Sequence, residues 1–251
     1  MIREETVFGP IRSRRLGSSL GINLLPTKGK ICNFDCIYCE CGWNKDGTAD
    51  RKIPSAAEVR SALEDKLCAM LLDSESVDSI TFSGDGEPTL NPEFPRIIED
   101  TLELRDIYQP SAKVSVLTNA TRIHIPEIFD ALRKVDNPIL KLDALSPEDA
   151  GAINRPAPGY DIARTIEAMK RFDGDFIMQT MFLKGPGIDS SAPERLQAWK
   201  QAVRMLKPRE VMVYTIDRPT PMQGLEKFTA AQMKEMVQDL IDEGFRIRIN
   251  G

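Results

Sequence analysis

The sequence predicts an α/β fold in which parallel strands are covered by helices. Short segments rich in Val, Ile and Leu alternate along the chain with longer amphipathic segments that begin at capping signals. Such apolar segments are typical of buried parallel strands, and a repeated strand-then-helix order predicts a parallel sheet with helices outside it. The order recurs roughly six times, which suits an open partial (β/α)6 barrel of the TIM type. No linker or low-complexity tract interrupts the sequence, so we expect a single domain over residues 1–251.

Several segments are predicted as strands because they are short and rich in β-branched and aliphatic residues. The first follows a basic, glycine-rich lead-in, and we place the lead-in and this strand within residues 1–31. The last alternates between polar and apolar residues, so it is predicted as a final or edge strand. The predicted strands are residues 20–25, 79–83, 113–118, 139–145, 175–183, 210–216 and 245–250.

The helices are predicted from the signals at their first residues. A Ser or Thr followed three residues later by Glu or Gln is a capping box, because each side chain accepts a hydrogen bond from the other residue's backbone N–H. Ser55, Ser191 and Thr229 begin such patterns, which predict helices to about residues 72, 205 and 243. Asn91 and Ser146 each precede a proline, which favours the first turn of a helix. Further helices are predicted over residues 126–134 and 160–171, and residues 222–251 are predicted to hold the last helix and the edge strand.

Composition excludes several classes of protein. The net charge of −5 argues against a dedicated nucleic-acid binder, which would usually be basic. Five cysteines, three of them clustered, argue against a disulfide framework and for a reducing compartment. The first five residues do not resemble a signal peptide, and no apolar run approaches the roughly 20 residues that span a bilayer. We therefore expect a soluble, cytoplasmic protein with no membrane partner.

Common catalytic motifs are also missing from the sequence. His124 is the only histidine, and it lies just before a predicted helix, so histidine-based acid–base chemistry is not predicted. There is no P-loop, no G-x-S-x-G elbow and no H-E-x-x-H helix. Cys68 falls inside a predicted helix and is expected to be part of the core.

The cysteine-rich loop over residues 32–43 carries the strongest chemical signal. Cys32, Cys36 and Cys39 form a C-x3-C-x2-C array. Three thiolates at this spacing can hold an iron–sulfur cluster with one open iron, or a zinc ion that needs a fourth ligand. Cys41 could be that fourth ligand, although it follows Cys39 after a single residue, which is tight for chelation of one ion. Spacing alone therefore indicates a metal-binding loop.

The array, with Tyr38 just before its last cysteine, resembles the radical S-adenosylmethionine (radical SAM) superfamily. Residues 8–23 and 82–92 look like the wyosine-synthase-like group of iron–sulfur oxidoreductases, and the resemblance covers roughly residues 7–221. It implies an enzyme with a 4Fe–4S cluster on Cys32, Cys36 and Cys39 and with S-adenosylmethionine at the open iron. One electron, from a donor such as flavodoxin or ferredoxin, would then produce a 5′-deoxyadenosyl radical that abstracts hydrogen from the substrate.

The resemblance also implies which residues contact S-adenosylmethionine. Gly86 and Glu87 match the glycine–glutamate motif of the superfamily, in which glycine permits close approach and the carboxylate accepts from the ligand ammonium. The other candidates lie near the carboxyl ends of predicted strands, where ligands of parallel α/β folds bind. The full predicted set is Tyr38, Ser83, Gly86, Glu87, Thr118, Asn119, Asp143, Arg155, Thr180 and Thr215.

Several weaker candidates and alternatives remain open. The acidic balance favours a small molecule or a peptide or protein side chain as substrate over RNA. The alternatives are a wyosine-like enzyme that modifies transfer RNA, which would need a local basic patch, and a non-catalytic iron–sulfur or zinc-binding module. Further candidates for substrate or cofactor contacts are Arg12, Arg14, Arg15, Lys141, Gln179, Tyr214, Asp217 and Arg218.

Overall fold

The computed structural model describes residues 5–47 and 51–251. The prediction that the chain begins without a signal peptide depends partly on residues 1–4, which lie outside the described residues. The chain divides into two compact units, and the prediction of one domain stays a prediction. The first unit is Met1–Cys32, Asn44–Thr118 and His124–Pro138, and the second is Asn33–Trp43, Asn119–Ile123 and Ile139–Gly251.

The first unit contains four strands in the order β1-β2-β3-β4, of which β1 and β2 form an antiparallel hairpin and the others pair in parallel. Register places Leu20, Ile80 and Val114 side by side, all fully buried, so the middle of this sheet is apolar. The elements are β1 (Val7–Ser13), β2 (Gly17–Ile22), α1 (Ala56–Leu72), β3 (Ser79–Phe82), α2 (Phe94–Tyr108), β4 (Lys113–Thr118) and α3 (Pro126–Lys134), with 3₁₀ turns at Asn44–Asp46 and Pro88–Leu90.

The second unit contains parallel strands in the order β5-β6-β9-β11 and a small antiparallel sheet of β10, β7 and β8. Every residue of β6 is buried. The elements are β5 (Asn137–Lys141, whose first two residues belong to the other unit), α4 (Pro147–Ile153), α5 (Ile162–Lys170), β6 (Ile177–Met181), β7 (Leu183–Gly185), β8 (Ile188–Asp189), α6 (Pro193–Leu206), β9 (Glu210–Tyr214), β10 (Glu226–Lys227), α7 (Ala230–Asp242) and β11 (Ile247–Asn250).

Two of the predicted capping boxes are present. Ser55 and Glu58 exchange hydrogen bonds at the start of α1, and Thr229 and Gln232 do so at the start of α7. The predicted bounds of β4 and α3 agree with the structure, as does the start of α4 after Ser146. Local signals in the sequence therefore predict where these elements begin.

The third predicted capping box is wrong. The helix α6 begins after Ala192, whose side chain makes no capping bond. Ser191 instead turns back, and its backbone N–H and hydroxyl both donate to Asp189 Oδ1, at 2.9 and 2.6 Å. Asp189 thus accepts the Ser191 backbone N–H that a capping box would have donated to Glu194, and it turns the Ser191 hydroxyl away from the helix.

Asn91 does not cap a helix either. The helix α2 begins at Phe94, because a 3₁₀ turn capped by Glu87 occupies Pro88–Leu90. The Asn91 side chain donates to the carbonyl oxygens of Leu24 and Pro54, at 3.1 and 2.9 Å. It ties together segments of the first unit that are distant in sequence.

The first strand was also misplaced. The structure ends it at Ile22 rather than at residue 25, and pairs it with β1, which was predicted only as part of the lead-in. The register of this hairpin shifts between Phe8 and Ile11. No helix among the described residues is long and apolar enough to cross a membrane.

Candidate functional site

The cysteine loop in the second unit is anchored to the carboxyl end of α4. The backbone N–H of Asp35 donates to the Asn154 carbonyl at 2.8 Å, and that of Ile37 donates to the Ile153 carbonyl at 3.0 Å. The last carbonyls of a helix have no partner within the helix. The loop therefore satisfies these acceptors, and α4 fixes its position.

Within the loop, two consecutive hydrogen-bonded turns contain the cysteines from Cys36 onward. The Cys39 N–H donates to the Cys36 carbonyl at 3.1 Å, and the Gly42 N–H donates to the Cys39 carbonyl at 3.0 Å. Gly42 has a φ of 78°, a conformation that favours glycine. Cys36 is buried, whereas Cys32, Cys39 and Cys41 are partly exposed.

The sulfur of Cys36 has a specific polar partner. Asn154 Nδ2 lies 3.4 Å from Cys36 Sγ and donates to it. Burial, the largest influence, raises the pKa of this thiol to about 11. A thiol of this kind is neutral at pH 7 without a metal, and it loses its proton when iron binds.

A polar cluster surrounds Asp143, just beyond the carboxyl end of β5, and its members Tyr38 and Asn154 are buried. We call it the Asp143 cluster; it consists of Tyr38, Lys141, Asp143, Asn154 and Tyr214. The Tyr38 hydroxyl and Asn154 Nδ2 (2.8 Å) both donate to Asp143 Oδ2. Lys141 Nζ donates to the Tyr38 hydroxyl at 2.7 Å and to the Tyr214 hydroxyl at 3.3 Å, and lies 3.7 Å from Asp143 Oδ2. The cluster thus connects the cysteine loop to the ends of β5 and β9.

Two groups of the cluster have shifted pKa values. Burial, the largest single influence, lowers the pKa of the Lys141 ammonium, but Asp143 and the other groups around it together outweigh burial and raise this pKa above its ordinary value. Burial, and then Asp143, raise the pKa of the Tyr38 hydroxyl well above its usual range. Lys141 is therefore a cation and Tyr38 a neutral hydrogen-bond donor at physiological pH.

The glycine–glutamate segment of the first unit has a clear structural role. The backbones of Ile31 and Gly86 form a parallel bridge. A Cβ on Gly86 would lie 1.8 Å from the Ile31 carbonyl oxygen, so only glycine fits here. Glu87 is buried, and its Oε1 accepts from the Thr89 hydroxyl and from the Thr118 hydroxyl, each at 2.6 Å. The structure thus brings the predicted residues Glu87 and Thr118 together, and Gly86 supports the backbone that leads into Cys32.

Other predicted site residues contact their own structural neighbours. Thr180 is buried and bonds to the Leu142 carbonyl and to Trp199 Nε1. Thr215 accepts from the Phe228 N–H at 3.1 Å. The Ser83 N–H donates to the Ile22 carbonyl, and Asn119 Nδ2 donates to Asn33 Oδ1 at 2.6 Å. The Arg155 guanidinium lies 4.6 Å from the centre of the Trp43 ring. Arg218, one of the weaker candidates, forms an ion pair with Glu40 at 2.6 Å.

Gln179 on β6 is a buried amide whose donor is not satisfied. Its side-chain Nε2 has no hydrogen-bond partner among the described residues, and only 4% of the residue is exposed. A buried donor without a partner costs about 1–3 kcal/mol. Such a group indicates a place where a ligand acceptor would be stabilised.

Sequence reasoning missed Asn154 as a site residue. It noted Lys141 and Tyr214 only as secondary candidates. The signal for Asn154 was weak, because an asparagine after a short helix is common turn chemistry. Its relevance comes from Cys36, which lies 118 positions earlier in the chain.

The assignment of Cys32, Cys36 and Cys39 as ligands of a cluster stays a prediction. Among the residues that the structure describes, no three His, Cys, Asp or Glu side chains lie close enough to share one metal ion. A 4Fe–4S cluster does not require such a group, because each thiolate binds a different iron. The amide hydrogen bond to Cys36 Sγ is of the kind that tunes such clusters.

The comparisons with known proteins show the family to which this chain belongs. Residues 27–189 match the family model described as the Radical SAM superfamily. The chain belongs to the radical SAM superfamily. It is also 32% identical over 226 residues to a UPF0026 protein of Synechocystis sp., covering 86% of this chain and 77% of that protein. A UPF0026 protein of Methanocaldococcus jannaschii is 30% identical, over 84% of this chain and 64% of that protein.

Two solved structures show the same fold. A radical SAM methyltransferase from Sphaerobacter thermophilus aligns with a TM-score of 0.69 at 15% identity, over 92% of this chain and 65% of that chain. SuiB of Streptococcus suis, solved with S-adenosylmethionine, aligns with a TM-score of 0.63 at 17% identity, over 89% of this chain. This chain spans about half the length of SuiB (49%). The predicted α/β fold of the partial TIM-barrel type is confirmed by these neighbours.

Proposed function

We propose that this chain is a radical SAM enzyme in which Cys32, Cys36 and Cys39 hold a 4Fe–4S cluster whose open iron binds S-adenosylmethionine. The observation that carries the proposal is the anchored cysteine loop, in which Cys36 is buried and its sulfur accepts from Asn154. When bound and reduced, the cluster would cleave S-adenosylmethionine to a 5′-deoxyadenosyl radical that abstracts hydrogen from the substrate. Membership of the superfamily supports this chemistry.

The chain's own residues would position the ligand and keep water out. The buried Tyr38 ring is held by Asp143 and Lys141, so its position does not depend on a ligand. Gln179 offers a buried N–H to a ligand acceptor. The predicted contacts of Ser83, Gly86, Glu87, Thr118, Asn119, Asp143, Arg155, Thr180 and Thr215 with S-adenosylmethionine remain part of this proposal.

We propose a small molecule or a peptide or protein side chain as the substrate class. The net charge of −5 disfavours the many phosphate contacts that a nucleic acid requires. SuiB has been solved with its precursor peptide SuiA, so peptides are a reasonable first screen. The second candidate is a wyosine-like activity on transfer RNA, favoured by the resemblance of residues 8–23 and 82–92. Incubation with unmodified transfer RNA and with peptide libraries, followed by mass spectrometry, separates the two candidates.

The proposal is tested by anaerobic reconstitution with iron and sulfide, followed by addition of dithionite and S-adenosylmethionine. We expect four irons per chain and release of 5′-deoxyadenosine. Cys36→Ala should lose both, while the matched control Cys68→Ala, at a helical cysteine outside the loop, should keep both. Electron paramagnetic resonance spectra with and without S-adenosylmethionine should differ. A protein that binds zinc but no iron, or one that holds the cluster but releases no 5′-deoxyadenosine, would refute the proposal.

A further inference from the structure

Asn154 connects Cys36 of the cysteine loop to the Asp143 carboxylate through a single amide group. Its Nδ2 lies 2.8 Å from Asp143 Oδ2 and 3.4 Å from Cys36 Sγ. The residue is 3% exposed, and its backbone carbonyl accepts from the Asp35 N–H of the loop. Asn154 therefore touches the loop through both its backbone and its side chain.

The orientation of this amide follows from its partners. An ionised carboxylate accepts hydrogen bonds and does not donate them. Asp143 is fixed in turn, because its Oδ1 accepts from the Met181 N–H at 2.9 Å and its Oδ2 accepts from Tyr38. The NH2 side of Asn154 must face Asp143, and this same nitrogen then points at the sulfur.

A donor at this sulfur has a predictable effect on a bound cluster. Reduction adds negative charge to the iron, the sulfide and the thiolate ligands, so a hydrogen bond to a thiolate stabilises the reduced form more than the oxidised form. Hydrogen bonds to charged groups are among the stronger ones in proteins, and the part that differs between the two oxidation states is what shifts the potential, so we expect the redox equilibrium to change about tenfold.

We propose that Asn154 is a positioning residue that raises the reduction potential of the cluster by donating to the Cys36 thiolate, with Asp143 holding its amide in place. The inference rests on the proposed function, because it requires a cluster on Cys36. It assigns a role to a residue outside the cysteine motif, and it predicts a change that can be measured without turnover.

The test is a dithionite titration of the reconstituted protein, followed by electron paramagnetic resonance. Asn154→Leu removes both hydrogen bonds at similar volume, and we expect the ratio of reduced to oxidised cluster at a fixed potential to fall about tenfold, a shift of about 59 mV. Asn154→Asp keeps the shape but not the donor to sulfur, and should shift the potential in the same direction. Asn137→Leu is the matched control. Asn137 is the first residue of β5, at the end of the strand away from Asp143, and its amide donates to the Ser115 hydroxyl. This variant should have the reduction potential of the wild type.

Each result decides the proposal. Unchanged potentials in both Asn154 variants, with normal iron content, would overturn it. Both Asn154 variants could lose the cluster while Asn137→Leu keeps it. In that case the wild type is labelled with ¹⁵N in its asparagine side chains and its reduced cluster is examined by electron paramagnetic resonance. Magnetic coupling of a side-chain nitrogen to the cluster supports the proposal, and the absence of coupling overturns it. Failure of the wild type to hold a 4Fe–4S cluster would instead refute the proposed function.

Discussion

Replacement of Gly86 by alanine should destabilise the protein by an amount that the structure allows us to work out. Gly86 has a φ of 139°, and an added Cβ would lie 1.8 Å from the Ile31 carbonyl oxygen, a backbone atom that cannot rotate away. Positive φ costs about 1–2 kcal/mol for a residue with a side chain. The clash would also break the Ile31 N–H bond to Asp85 (3.1 Å) and the Glu87 N–H bond to Ile31 (3.0 Å), at about 1 kcal/mol each.

The expected loss is therefore about 3–4 kcal/mol, a large fraction of the 5–15 kcal/mol that stabilises a typical protein. Urea denaturation of the metal-free, reduced protein measures it directly. Gly42 and Gly151 provide controls, because an added Cβ at either position would meet only open space. Gly42→Ala adds only the strain of positive φ, whereas Gly151→Ala, inside α4, should stabilise by about 0.5–1 kcal/mol. A loss at Gly86 no larger than that at Gly42 would refute the bridge as a stabilising contact.

Four further changes have defined outcomes. Ser55→Ala removes the capping box of α1 and should cost about 1 kcal/mol in urea denaturation. Cys41→Ala should leave iron content near normal after reconstitution; loss of iron comparable to that of Cys36→Ala would show that the ligand set is wrong. Gln179→Leu removes an unsatisfied donor, so it should raise the melting temperature of the ligand-free protein while weakening S-adenosylmethionine binding in calorimetry. Burial alone would raise the pKa of the Asp136 carboxyl, but a backbone N–H and a guanidinium lower it below its ordinary value of 3.8. The contribution of this carboxylate to stability is therefore present above about pH 4 and is lost as pH falls through the lowered pKa. The free energy of unfolding of Asp136→Asn should fall less than that of the wild type as pH drops below about 4.

Local sequence signals predicted the elements whose ends depend on nearby residues. The helices α1, α3 and α7 begin and end close to the predicted positions, because proline or a capping box fixes their first turns. The strand β4 also has its predicted bounds, and it is a short segment rich in Val and Leu. Prediction failed where a nearby acceptor competed for the same donors. Asp189 captured the groups of Ser191, and Glu87 capped a 3₁₀ turn ahead of α2. The sequence contains both partners in each case but does not say which hydrogen bond forms.

The candidate site could be predicted only at the level of its motif. The three cysteines and the glycine–glutamate segment are contiguous patterns, so they are visible in the sequence. The contacts within the Asp143 cluster are not, because Tyr38 and Asp143 are 105 positions apart and meet only when the loop docks on α4. For the same reason the sequence did not show the donors that hold the Asp143 carboxylate, Asn154 Nδ2 and the Met181 N–H. The predicted contact of Asp143 with a ligand stays a prediction.

The anchoring of the cysteine loop on α4 has a practical consequence for anyone who excises the motif. A synthetic peptide of residues 30–45 would retain every cysteine of the motif but lose the helix carbonyls that hold Asp35 and Ile37, and the amide that faces Cys36. An assembled cluster on that peptide would be open to oxygen and solvent on all sides. We expect it to bleach in air faster than the cluster of the intact chain, although the sulfur ligands are the same.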